Sequence, residues 1–337
     1  MRQTLPASLA RTRELVSPRL REVADRLSPG IRTVISYHLG WIDAEGAPSA
    51  NEGKGVRPAL ALLSARAAGM PAEVGLDGAV AVELVHNFSL LHDDIMDRDH
   101  ERHHRRAAWK VFGEARAILA GDALVTLALE LLLEPAGEER ARAAALLTRA
   151  TARMIDGQSQ DLALEGQTEA SLSDCLGMIA AKTGALLSCA SSIGAVLAGA
   201  RADVVEPLAS FGEHVGVAFQ AVDDQLGIWG RPEETGKPAW SDLRQRKNSL
   251  PVAAALESGA MEAEELRSLL AGTDWLSEEE LARAAELIER AGGRARALEE
   301  ARRHLALALA ALDRAPIAAD ARDELAELAR FVTVRSF

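Results

Sequence analysis

Apolar residues recur along most of this chain at spacings of three and four, the period of an amphipathic helix, and no stretch sustains the alternation of a half-buried strand. The pattern predicts an all-α fold. A first helix is expected from about residue 8 to 27, ended by Ser28-Pro29-Gly30, and a second through Trp41. A loop from Gly46 precedes a helix beginning near Pro58. The mostly apolar run from Gly78 to Asp97 forms one helix. The segment from Ala117 to Leu133 is apolar enough to be buried in the core or in a subunit interface. Toward the end, an Ala/Glu/Leu/Arg-rich helical stretch carries Ser277 and Glu280 at the spacing of a capping box. No repeat or linker divides the chain, so residues 1–337 are expected to form a single domain.

Composition narrows the functional classes. With 48% hydrophobic residues the chain can bury a large core, and its net charge of -12 argues against general nucleic-acid binding. An anionic partner must therefore be met by local cations. Cys175 and Cys189, the only cysteines, lie in apolar surroundings and are expected to be reduced core thiols, which suits the cytoplasm. Arg2, Arg11 and Arg13 are followed by no continuous apolar segment, against a secretory signal. The Gly/Ala/Ser-rich run from Thr183 to Ala200 is short for a membrane span of about 20 residues and is expected to be a packed internal helix. Most cations are arginine; the lysines are Lys54, Lys110, Lys182, Lys237 and Lys247, and a lysine kept in such a background can mark a site needing a compact point charge.

The candidate chemistry centres on Asp93-Asp94-Ile95-Met96-Asp97. At about 100° per residue Asp93 and Asp97 share a helix face with Asp94 beside them. Like charges so placed cost roughly 0.2 to 0.5 kcal/mol, and carboxylates near a helix C-terminus oppose its dipole by about 0.3 to 1 kcal/mol. A cationic partner should compensate them. The run from Arg98 to Arg106, mainly basic, follows at once, and the loop Gly53-Lys54-Gly55-Val56-Arg57 brings two further cations to the start of a helix. His86, two turns before Asp93, lies on nearly the same face. A second carboxylate pair, Asp223-Asp224, follows Phe219-Gln220, and a Gly/Pro-containing loop from Gly230 to Ser241, a candidate lid, carries Lys237. Taken alone, the acidic triplet is as compatible with a solvated helix end, and the Gly/Pro loop, His86 and the basic run are more often a plain connection, a core residue and a solvated face.

Taken together, and in this order, these motifs resemble the trans-isoprenyl diphosphate synthases, of the short-chain type that includes geranylgeranyl diphosphate synthases. The similarity runs by motif from Gly53 to Pro251. It implies an isoprenoid synthase helical bundle around a central cavity, with two acidic clusters facing each other. The resemblance makes Asp93, Asp94, Asp97, Asp223 and Asp224 the Mg2+-binding set, three ions being held with bound diphosphate. It gives the allylic diphosphate to Arg102, Lys182 and Lys237, with Gln220 nearby, and isopentenyl diphosphate to Lys54, Arg57 and His86; His103, Thr183 and Lys247 are further substrate-binding positions. Asp93, Asp97, Lys182 and Lys237 carry the catalytic roles. The implied reaction condenses isopentenyl diphosphate with an allylic diphosphate in a cytoplasmic homodimer, with no nucleic acid and no membrane span. Phe88 and Ser89 stand where product length is set. The aromatic Phe88, about 7.5 Å down the helix from Asp93, favours C20, with C15 next.

This sequence departs from the family pattern at His103, where a second Arg is usual, at Arg106-Ala107, where Pro-Thr is usual, at Gly227, where a third Asp is frequent, and at Glu52 and Trp240, where Gly is common. His103 and Trp240 keep open a terpene cyclase or atypical prenyltransferase acting on an allylic diphosphate alone; a non-catalytic partner subunit is disfavoured because both acidic clusters and their lysines remain.

Overall fold

In the computed structural model, residues 6–49, 53–231, 239–271 and 275–333 are described, and almost all of them that belong to regular structure are helical. Their Cα packing forms two compact units. One comprises Met1–Thr151, Cys189–Ala209 and Leu312–Leu328, the other Ala152–Ser188, Ser210–Ala311 and Ala329–Phe337.

In the first unit, helix α1 (Ala7–Ala24) buries Leu9, Thr12, Val16, Leu20 and Val23 at helical spacing, and α2 (Pro29–His38) starts on a proline whose fixed φ suits a first turn. Both end about three residues before the sequence expectation; after α2, Gly40 takes φ 77° and turns the chain. Helix α3 (Val56–Ala67) follows Gly55, itself at φ 67°, and buries every residue from Pro58 to Ala65. A 3-10 turn (Ala72–Gly75) leads into α4 (Leu76–Met96), the buried helix that carries the first acidic cluster. Next come strands β1 (Glu101–Arg102) and β2 (Arg105–Arg106), helix α5 (Ala108–Phe112) and helix α6 (Glu114–Leu133).

Helices α4 and α6 pack closely because Gly121 offers no side chain: a Cβ there would lie 2.4 Å from His92 Nε2, which instead meets the Ile118 carbonyl oxygen at 3.1 Å. Within this chain α6 buries Ala117, Ala120, Leu124, Leu127, Ala128, Leu131 and Leu132, while Ile118, Leu119 and Leu133 are exposed.

The chain continues through α7 (Glu138–Leu164), α8 (Leu172–Ile179), a π-turn (Ala180–Gly184), α9 (Ala185–Leu197) and α10 (Ala202–Trp229). Then follow α11 (Ser241–Arg244), α12 (Leu250–Glu257), α13 (Met261–Leu270), α14 (Glu278–Arg290), α15 (Gly293–Arg314) and α16 (Ala319–Thr333). The Ser277–Glu280 capping box forms as expected, with Ser277 Oγ accepting from the Glu280 N–H. A core of Ile228, Leu243, Val252, Leu266, Leu281 and Leu287 ties α10 through α14 together in the second unit.

Two segments, Ala72–Met96 and Leu172–Leu197, are long and apolar enough to cross a membrane, the second because α9 continues from α8 through the π-turn. Most of each apolar window is buried inside the protein, as for core helices.

Candidate active site

Helix α4 ends within the first acidic cluster. Asp93 and Asp97 are half-buried on one face; Asp94 is fully buried, and its Oδ1 accepts from Arg102 Nε at 2.7 Å and Nη2 at 2.6 Å. Burial alone would lower the Arg102 pKa, but the Asp94 hydrogen bond and the nearby charges of Asp94, Asp93 and Asp99 outweigh it and hold the guanidinium firmly protonated.

Arg102 reaches Asp94 because the basic run folds back as a hairpin, which its sequence did not announce. Glu101 faces Arg106 and Arg102 faces Arg105, and the two turn residues, His103 and His104, both adopt left-handed backbone at φ 51° and 60°. Such two-residue turns normally carry Asn or Gly, so the usual signal is missing. The hairpin is fastened from outside: Arg105 stacks over the Tyr37 ring at 4.2 Å and donates to the Ile42 carbonyl, while the Tyr37 hydroxyl donates to the Arg106 carbonyl at 2.8 Å.

The groups expected to hold isopentenyl diphosphate converge in the same unit. Arg57 Nη1 lies 3.1 Å from His86 Nε2. Burial, then the charge of Arg57, then that of Arg102, hold the His86 pKa well below its ordinary value, with His38 and His103 contributing. His103 is shifted down as well, by burial and by Arg102, His104, Arg105 and Lys54. His38 is pushed down to about 3, chiefly by burial, with the charges of Arg102, His103 and Arg105 acting in the same direction. Phe88 is buried edge-on to the His92 ring at 4.8 Å, and the Ser89 hydroxyl donates to the His86 carbonyl.

In the second unit the π-turn carries Lys182 and Thr183. It sits against α7 because residue 157 is glycine: a Cβ there would fall 2.2 Å from the Lys182 nitrogen. Lys182 Nζ pairs with Asp161 Oδ2 at 2.5 Å, giving Asp161 a role that the sequence did not single out. The Thr183 hydroxyl donates to Gln220 Oε1 at 3.0 Å, Gln220 Nε2 donates to Asp224 Oδ1 at 2.8 Å, and Asp224 Oδ2 accepts from the Leu250 N–H at 2.9 Å. Burial, and after it the charge of Asp242, raise the Asp224 pKa to about 7 despite those two hydrogen bonds. Asp223 beside it is half-buried.

Two departures noted in the sequence become intelligible here. The space a side chain at Gly227 would need is filled by the Asp242 carboxylate, whose Oδ2 lies 2.1 Å from the ideal Cβ position. Trp240 stands at φ 56°, a backbone that favours glycine, and its ring packs against the core of the second unit. Lys247 follows α11, its N–H donating to the Asp242 carbonyl at 2.9 Å. Lys237 and Glu52, together with most of the expected lid, lie outside the described residues.

Among the described residues no three His, Cys, Asp or Glu side chains form a ready-made cage for a metal. The donor set nevertheless suits Mg2+, which takes hard oxygen ligands, keeps several waters and is usually bound through one or two carboxylates together with substrate phosphates.

Comparison with known proteins agrees with this geometry. A (2E,6E)-farnesyl diphosphate synthase of Mycobacterium tuberculosis (strain ATCC 25618 / H37Rv) is 47% identical over 338 residues, 99% of this chain and 94% of that protein. A geranylgeranyl diphosphate synthase of the same strain is 41% identical over 289 residues, 85% of this chain and 83% of that protein. The crystal structure of a polyprenyl synthetase from Streptomyces coelicolor A3(2) superposes with a TM-score of 0.93 and 54% identity, over 98% of this chain and 100% of that one. The sequence profile of polyprenyl synthetases matches residues 46–288, a span that takes in both acidic helices and the cations between them, and the chain therefore belongs to the polyprenyl synthetase family.

Proposed function

We propose that the protein is a Mg2+-dependent trans-prenyltransferase that condenses isopentenyl diphosphate with an allylic diphosphate and releases a short-chain isoprenyl diphosphate. The observation that carries this reading is the single face of α4 on which His86, Asp93 and Asp97 stand, with Arg57 bonded to His86 and Arg102 beside the carboxylates. The relatives' names as diphosphate synthases support it and disfavour the cyclase and non-catalytic readings.

Asp93, Asp97 and Asp223 are the ligands we assign to Mg2+, and Asp94 and Asp224, already engaged by Arg102 and by Gln220 and Leu250, orient their surroundings. The chemistry supplied by the bound ions is neutralisation of the diphosphate that departs as the allylic carbon–oxygen bond breaks. Arg102 and Lys182 add fixed positive charge to the same leaving group, Lys182 being held by Asp161. Lys54, Arg57, His86 and His103 hold isopentenyl diphosphate so that its double bond attacks the allylic cation. The proton then lost passes to the departing diphosphate. Apolar walls, Phe88 among them, exclude the water that would quench the cation.

We assign a product of C20 or C15, a cytoplasmic location in keeping with the buried thiols of Cys175 and Cys189, and one domain across both compact units. The exposed apolar residues Ile118 and Leu119 on α6 support a homodimer, which sedimentation equilibrium tests. The activity is tested by incubating the protein with Mg2+, isopentenyl diphosphate and C5, C10 or C15 primers and weighing the products by mass spectrometry. Elongated diphosphates ending at C15 or C20 are expected; a hydrocarbon formed without isopentenyl diphosphate would point to the cyclase instead.

A further inference from the structure

One cluster of titratable side chains in the second unit takes no part in the reaction above. His214 on α10 and His304 on α15 set their Nδ1 atoms 3.1 Å apart, with ring centroids 5.0 Å apart and the planes at 62°. His304 is 9% exposed and His214 is half-buried. Arg303 Nη2 lies 3.0 Å from His304 Nε2. A guanidinium only donates, so Nε2 is an acceptor and the His304 proton sits on Nδ1. From there it is donated to Nδ1 of His214, whose own proton then sits on Nε2. Each contact thus pairs one donor with one acceptor, and both rings are neutral. Two nitrogens at this separation would also suit one metal ion, but a metal there would move the His304 proton to Nε2, against Arg303.

The surroundings favour the neutral pair. Glu300, 2% exposed, is held by Arg303 Nε at 2.7 Å and by Arg296 Nη2 at 2.9 Å, and its Oε2 is 4.0 Å from His304 Nε2, too far for a hydrogen bond. Glu213, next to His214, pairs with Arg153 of α7 at 3.2 Å. Burial, then the charges of Arg303 and His214, hold the His304 pKa down to about 4 against the pull of Glu300 and Glu213. The stability contributed by the neutral ring is therefore full above about pH 6.5 and is lost as the pH falls toward about 4. A further proton has two places to go. On His304 Nε2 it faces the Arg303 guanidinium, and on His214 Nδ1 it sets two N–H groups against each other.

We propose that His214 and His304 form a proton-sensitive clasp that fastens α10 to α15 in neutral solution and releases it in acid. Helix α10 also carries Gln220, Asp223 and Asp224, so the helix that is loosened is the one bearing the second acidic pair.

The tautomers are read in the intact wild-type protein by nitrogen NMR of the histidine rings at about pH 8. His304 should carry its proton on Nδ1 and His214 on Nε2. Titrated to about pH 5, the two rings should change together, and independent curves would count against the clasp. A double-mutant cycle of H214F, H304F and the pair, read by urea unfolding, should couple the two residues by about fivefold in the unfolding equilibrium constant at about pH 8 and by less than about twofold at about pH 5. The wild-type spectra need no variant, so they test the clasp even if a phenylalanine variant fails to fold. A proton on His304 Nε2, a coupling below about twofold at about pH 8, or the same coupling at both pH values would overturn the proposal.

Discussion

Replacing Asp94 with alanine removes the acceptor of both Arg102 contacts, at 2.7 and 2.6 Å, from a side chain that is 0% exposed. Breaking a buried ion pair by deleting one partner costs about 3–5 kcal/mol. Arg102 is 23% exposed and keeps the charges of Asp93 and Asp99 nearby, which lowers the expectation to about 2–3 kcal/mol. A second consequence is local. The ion pair holds a hairpin whose turn places His103 and His104 at φ 51° and 60°, and each such residue costs roughly 1–2 kcal/mol of backbone strain. Without Asp94 the hairpin should relax. A double-mutant cycle of D94A, R102A and the pair, read by urea unfolding without metal or substrate, should give a coupling energy of about 2 kcal/mol. A coupling below about 0.5 kcal/mol would refute the claim that Asp94 fixes the hairpin through Arg102.

Further outcomes follow from other sites. The His38 pKa is depressed to about 3, so the unfolded state binds its proton first as pH falls; the stability His38 contributes is full above about pH 6.5 and is lost below it. Between pH 7 and pH 5, wild type should therefore lose up to about 2 kcal/mol more than H38Q in urea unfolding, and equal losses would contradict this. G227D, which restores a residue frequent in the family, should lower stability by about 1–3 kcal/mol and slow turnover, because the new side chain must displace the Asp242 carboxylate; a more active G227D would count against that view. F88A should lengthen the product by at least one isoprene unit and cost about 3 kcal/mol of stability, measured by mass spectrometry and thermal unfolding; unchanged chain length would remove Phe88 from the cavity floor.

Periodicity made the helices and the acidic face of α4 legible, because both depend on local spacing along one element. What stayed hidden depends on partners far away in sequence. The hairpin from Glu101 to Arg106 lacks a glycine or asparagine turn signal and is held by Tyr37, Ile42 and Asp94. Asp161 looks like a polar residue on a packing helix until the π-turn brings Lys182 against it. In sequence Gly227 reads as a missing carboxylate, whereas Asp242, fifteen residues on, supplies one in the same space. Asp93 and Asp94 are neighbours in sequence with the same chemistry, yet only Asp94 is wholly enclosed by its partner, a distinction set by the helix's rotation in the core.

The most direct test of the account is incorporation of labelled isopentenyl diphosphate into an allylic primer by wild type and D93A, with Mg2+ and after chelation. Wild type should elongate the primer only with Mg2+, and the rate should fall by at least about a thousandfold in D93A. Elongation that persists without metal, or at full rate in D93A, would contradict it.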